Sequence, residues 1–208
     1  MLDQKTLDHL WNFRDPASSE AAFRAAMVEE MYDADERAEL ATQLGRAIGL
    51  QGRFEEADAL LDEIDDDEPT VGVRILLVRG RVLNSDGRAA MAVPLLEQAA
   101  ELADHLGEEF LAVDALHMLS IADAANAEVW MRSALEYAST AHDERTKHWM
   151  IALHASLGAF LQGKNRLTEA LVEFQLAEQW AARLGTERQR AVARQAITEC
   201  GKALAEGP

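Results

Sequence analysis

Residues 44–69 read LGRAIGLQGRFEEADALLDEIDDDEP, and this stretch decides the fold. Ala38, Leu40, Ala41, Leu44, Ala47 and Ile48 recur at helical spacing and form one apolar stripe. Gly52 follows, a residue that ends a helix at no steric cost by taking the left-handed conformation. Phe54, Ala57, Leu60, Leu61 and Ile64 make a second stripe with the same period. Gly45 and Ala57 have little or nothing beyond the backbone, so two paired helices can approach closely there. Pro69 is predicted to stop the second helix, because proline lacks the amide donor and clashes with the preceding turn. The unit is a helical hairpin, and a lone hairpin cannot bury both its faces.

Working outward, the same small-residue positions recur. Ala22, Ala57, Ala92 and Ala127 follow at equal intervals of 35, and Ala170 after a longer one of 43. The matching first-helix positions are Leu10, Gly45, Gly80, Ala115 and Gly158, with Gly52, Gly87 and Asn165 in the turns. This predicts five hairpins at about 3–31, 38–69, 71–106, 108–142 and 147–184, then a closing helix at about 186–206. Eleven helices are expected, in one repeating domain spanning 1–208. Asp15-Pro16 marks the second helix start of the first hairpin, with proline near the first helical position. Pro94 is awkward in the third hairpin: its helix either begins later or is kinked. The longer interval before the fifth hairpin predicts longer helices around His142 to His148.

The protein holds 37 Asp and Glu against 20 Lys and Arg, a net charge of −17 in 208 residues. That field repels nucleic acid and anionic membranes, so neither is an expected partner. Hydrophobic residues at 49% suffice for a core, and repeats would spread it along the sequence. Cys200 is the one cysteine, which excludes an intrachain disulfide and fits a reducing compartment. The start, MLDQKTLDHLWNF, has neither the basic end nor the apolar run of a secretion signal. A cytoplasmic location is expected.

The stretch at 44–69 resembles a tetratricopeptide repeat, through Leu44-Gly45, Ile48, Gly52, Phe54, Ala57, Leu61 and Pro69. Residues 157–174, LGAFLQGKNRLTEALVEF, resemble it too, with Leu157, Gly158, Leu161, Leu167, Ala170 and Phe174 at the family positions. The resemblance implies an all-α, right-handed α-α superhelix, with the first helix of each hairpin lining a concave groove. Carried over, the groove is lined by Leu7, Trp11 and Arg14, then by Glu39, Thr42, Arg46 and Gly49. Arg74, Leu77, Arg81 and Asn84 follow, then Glu109, Ala112, Leu116 and Leu119. Ala152, Ala155, Ala159 and Gln162 make its far end, small enough to admit a partner helix or simply to pack tightly.

Arg46, Arg74, Arg81 and Asn84 on one face of so acidic a protein suggest a docking site for an acidic peptide or a free peptide C-terminus. The competing reading is that these arginines pair with acidic neighbours. Family members that clamp a terminal carboxylate use Lys and Asn where this sequence has Thr42 and Arg46, so that clamp is not expected. No catalytic, cofactor or metal site is expected. His142, His148 and His154 are evenly spaced but fall on different helix faces. The acidic run Asp62–Glu68 lacks a calcium loop's glycine. Cys200 reads as a small buried hydrophobe. The expected function is a non-enzymatic scaffold or adaptor that binds a protein or peptide. The alternative is a peptide-sensing module acting through a separate output partner. Association of copies through exposed terminal hairpins is a further expectation.

Overall fold

The computed structural model describes residue 2, residues 4–64 and residues 68–206. Asp65, Asp66 and Asp67 of the acidic run lie outside the described residues. Among those described, the protein is all-helical, and it divides into two compact units, Met1–Asp123 and Ala124–Pro208.

The first unit holds α1 (Gln4–Leu10), α2 (Pro16–Met27), α3 (Ala34–Gly49), α4 (Phe54–Asp62), α5 (Pro69–Ser85), α6 (Ala89–Leu106) and α7 (Glu109–Ala122). Short polar residues set the starts. Asp15 accepts from the Ser18 amide with Pro16 at the first helical position, as the sequence predicts. Asp33 and Glu36 form a reciprocal capping box that starts α3. Gly52 and Gly87 hold φ of +77° and +76° in the turns before α4 and α6. Pairs α3–α4 and α5–α6 pack as hairpins, and the first helices α3, α5 and α7 lie side by side.

The small positions do what their spacing predicts. A Cβ built on Gly45 would sit 3.2 Å from Leu61 Cδ2, and one on Gly80 only 2.5 Å from Leu96 Cδ2. Both leucines stand at the same sequence offset from their glycine, and both are buried. Ala57 and Ala92, the small residues of the same second helices, are fully buried. Phe23, Leu40, Leu44, Ile48 and Val78 complete the core, each worth about 1.5–3 kcal/mol when removed from water.

The second unit holds α8 (Ala127–Thr140), a single turn α9 (Glu144–Lys147), α10 (Trp149–Gly163), α11 (Leu167–Leu184) and α12 (Glu187–Glu206). Gly158 repeats the same geometry: a Cβ built there would lie 2.7 Å from Phe174, which holds the offset that Leu61 and Leu96 hold in their hairpins. Asn165 takes φ of 59° in the turn, the role glycine has elsewhere. The closing helix α12 packs on α11, burying Ala193 and Cys200.

Four expectations need correcting. Pro69 does not stop a helix: α4 already ends at Asp62, and Pro69 opens α5 behind Glu68, whose carboxylate accepts from the Thr70 and Val71 amides. A proline costs nothing where no intrahelical donor is needed. Pro94 does not delay its helix, since α6 starts at Ala89 and runs through it. Trp11 is not helical, because α1 ends at Leu10. The extra residues before the fifth hairpin do not lengthen its neighbours. They form the single turn α9, capped by Asp143 at the Arg145 and Thr146 amides, beside the eleven longer described helices.

Candidate functional site

The face that gathers most of the predicted residues belongs to α3, α5 and α7 in the first unit. Glu39, Gln43 and Arg46 follow one another at i, i+4 and i+7 on α3, which puts them on one side. Arg74 and Arg81 repeat the i, i+7 step on α5. Asp114 and His117 occupy α7. Three arginines therefore meet two carboxylates in a partly desolvated patch.

Two of the arginines are committed. Arg74 Nη2 lies 2.6 Å from Glu39 Oε1, joining α5 to α3. Arg81 Nη2 lies 2.5 Å from Asp114 Oδ1, joining α5 to α7. All four side chains are mostly buried. Burial alone would raise the Asp114 carboxyl, but the Arg81 and Arg46 charges outweigh it and hold it below the usual carboxylate range. Burial also pushes the His117 imidazole below its ordinary value, with Arg81 adding to the shift and Asp114 opposing it.

Arg46 is different. Among the described residues no carboxylate lies within ion-pair distance of it. Its guanidinium carbon sits 5.2 Å from the ring centres of both Trp11 and Phe13, and its Nε is buried without an acceptor among the described residues. Burial, with Arg81 and Arg74 nearby and only Asp114 opposing, lowers its pKa to about 9, so it remains a cation at neutral pH. The aromatic pair comes from the segment after α1. Trp11 stacks on Phe13 at 4.6 Å, meets Phe23 edge-on at 5.1 Å, and donates its indole N–H to Gln43 Oε1 at 3.2 Å.

The structure thus sorts the predicted lining. Trp11, Arg46, Arg74 and Arg81 meet on one face, and Asn84 and Leu116 are half-buried. Arg14 is exposed and outside this cluster. Glu39, Thr42, Leu77, Ala112 and Leu119 do not line an open groove, because each is buried. The competing reading of the arginines holds for Arg74 and Arg81 and fails for Arg46. In the second unit Ala152 and Ala159 are exposed, while His154 is buried with Nδ1 2.7 Å from Glu173 Oε2, tying α10 to α11.

Sequence reasoning missed Asp114, Gln43 and Phe13. A carboxylate inside the apolar run LAVDALHML was the available signal for the first. It also missed Arg53 and Arg166, which directly follow the left-handed turn residues Gly52 and Asn165. Each cups a carboxylate of the next helical turn, Glu56 or Glu169, and reaches a carboxylate one hairpin back, Glu20 or Glu128.

No family model and no curated protein matches this sequence. Among solved structures it is similar to BtubC (BKLC) from P. vanneervenii, at 16% identity and a TM-score of 0.67. That alignment covers 96% of this protein and 84% of that one. At such identity the likeness speaks to the helical fold alone. Among the described residues no helix is long and apolar enough to cross a membrane, and no group of three or more His, Cys, Asp or Glu is placed to hold a metal ion.

Proposed function

We propose that this protein is a non-catalytic protein- or peptide-binding module of the tetratricopeptide type, its hairpins following a right-handed superhelix. The recurrent close pairs Gly45–Leu61, Gly80–Leu96 and Gly158–Phe174, all at one sequence offset, support the repeat reading. The observation that carries the function is Arg46, a cation beside the stacked Trp11–Phe13 pair, with a buried Nε that lacks an acceptor among the described residues. An unpaired guanidinium is costly to keep out of water, and a ligand carbonyl or carboxylate offsets that cost. Its neighbours Arg74 and Arg81 already face carboxylates, and the Arg74 Nε is likewise buried without an acceptor among the described residues. The face favours an acidic or carbonyl-rich peptide over a cationic one, since the ligand must satisfy a fork of donors.

The test is a comparison of wild type with Arg46→Gln. Both proteins are titrated with acidic and basic peptide pools and used for affinity capture from the native cell. Ligands that bind wild type and are lost with Arg46→Gln support the module. A full ligand set retained by Arg46→Gln refutes this face. Arg81→Glu is a poor probe, because it would set a second carboxylate against Asp114 and disturb the fold instead.

A further inference from the structure

The segment before α2 behaves as an occupant of the α3 face. Leu2 donates its amide to Glu39 Oε2 at 2.8 Å, Trp11 its indole N–H to Gln43, and Arg46 sits beside the stacked Trp11–Phe13 pair. Residues at both ends of the segment therefore engage the i, i+4 and i+7 positions of one helix that is remote in sequence. The mode of attachment is that of a bound peptide: hydrogen bonds to side chains of the recognition helix plus aromatic stacking. Leu7 anchors the middle in the core, but Trp11 is only half-buried and Phe13 is 61% exposed. Asn12, between the two aromatics in sequence, turns its side-chain oxygen to the Arg14 amide, and the described residues of the segment bring no acceptor to Arg46 Nε.

We propose that the segment carrying Leu2, Leu7, Trp11 and Phe13 is a tethered, displaceable strap on this face. The partner the face accepts is a peptide segment with two aromatic side chains at alternate positions, which enters by replacing Trp11 and Phe13. A partner that also brings a carbonyl or carboxylate to Arg46 Nε gains a bond that the described residues of the strap leave unmade. The strap tunes affinity, because a site closed by its own polypeptide binds a competitor more weakly in proportion to the fraction of time it is open. This rests on the binding-module reading and names the partner chemistry of its site.

The test uses the full-length protein and a fluorescent peptide of residues 6–14, TLDHLWNFR. It is titrated against wild type, Trp11→Ala/Phe13→Ala and the same double variant carrying Arg46→Gln. The double variant is expected to bind at least about tenfold tighter than wild type, and Arg46→Gln to abolish that gain. A peptide with both aromatics replaced by alanine is expected not to bind. Should the double variant lose helix content, Phe13→Ala alone serves, since that ring is mostly exposed; its expected gain is about threefold. Equal binding to wild type and variants, or none to a folded variant, overturns the strap. If acidic peptides still bind wild type through Arg46 in that case, the module reading survives without it.

Discussion

Gly80 and Leu96 touch so closely that no side chain fits between them: a Cβ on Gly80 would lie 2.5 Å from Leu96 Cδ2, and Leu96 is fully buried. The leucine has nowhere to withdraw. Gly80→Ala is therefore expected to cost about 1–3 kcal/mol through overpacking. Gly72, in the same helix, has nothing within 4 Å of such a Cβ. There Gly72→Ala should stabilise by about 0.5–1 kcal/mol, through helix propensity and a less entropic unfolded state. Urea denaturation of the two variants should give shifts of opposite sign.

Asp114 contributes to the acid limb of stability. Its folded carboxyl lies below the usual range despite burial, because Arg81 and Arg46 face it. A lowered folded value means that the stabilisation is complete above the unfolded value of about 4 and is lost as pH falls through the folded one. Asp114→Asn leaves Arg81 without its counter-charge and is expected to cost about 3–5 kcal/mol at neutral pH. It should also flatten the loss of stability below about pH 4, read as denaturation midpoints across an acid series.

Arg46 should trade stability against binding. Its pKa of about 9 reflects a charged form disfavoured by burial and by two neighbouring arginines. Stability tied to it would rise only as pH climbs above that value, so at neutral pH the charge is a standing cost. Arg46→Met keeps the packing of the aliphatic stem and removes the cation, at the loss of an attraction to the rings worth about 0.5–2 kcal/mol. The expected outcome is a melting temperature no lower than that of wild type together with loss of ligand binding. A clear drop in melting temperature would instead assign Arg46 a structural role.

Asn165 holds a left-handed backbone at φ 59° between α10 and α11. Asn165→Ala should cost about 1–2 kcal/mol, because a Cβ without a local hydrogen bond is disfavoured there. Asn165→Gly should be neutral or slightly stabilising, as glycine already serves this role at Gly52 and Gly87. Thermal melts of the pair separate backbone strain from loss of the amide group.

Cys200 is fully buried on the inner face of α12, its Sγ 3.4 Å from the Leu167 carbonyl oxygen, and burial pushes its thiol up from the ordinary value. A thiol reagent should modify it only at the rate at which α12 leaves α11. Val192→Asp, on the exposed side of α12, should leave that rate nearly unchanged, whereas Ala193→Asp, on the buried side, should raise it by orders of magnitude.

The amino-acid sequence determined most of the helices and, for α3–α4, α5–α6 and α10–α11, their pairing and the positions where paired helices nearly touch. These are local matters: apolar period, a left-handed residue after α3, α5 and α10, and a missing side chain at Gly45, Gly80 and Gly158. Local signals failed where one residue type serves two ends of a helix. Pro69 blocks a continuing helix and equally opens a new one, and only the capping carboxylate of Glu68 settles which. The tertiary structure alone decided the site. Arg46, Arg74 and Arg81 read alike in sequence, yet the acids that neutralise the last two come from helices of other hairpins. The rings that hold Arg46 come from a segment after α1 that the repeat pattern had placed inside a helix. Charge pairing depends on which faces meet, and that is fixed by how whole helices pack.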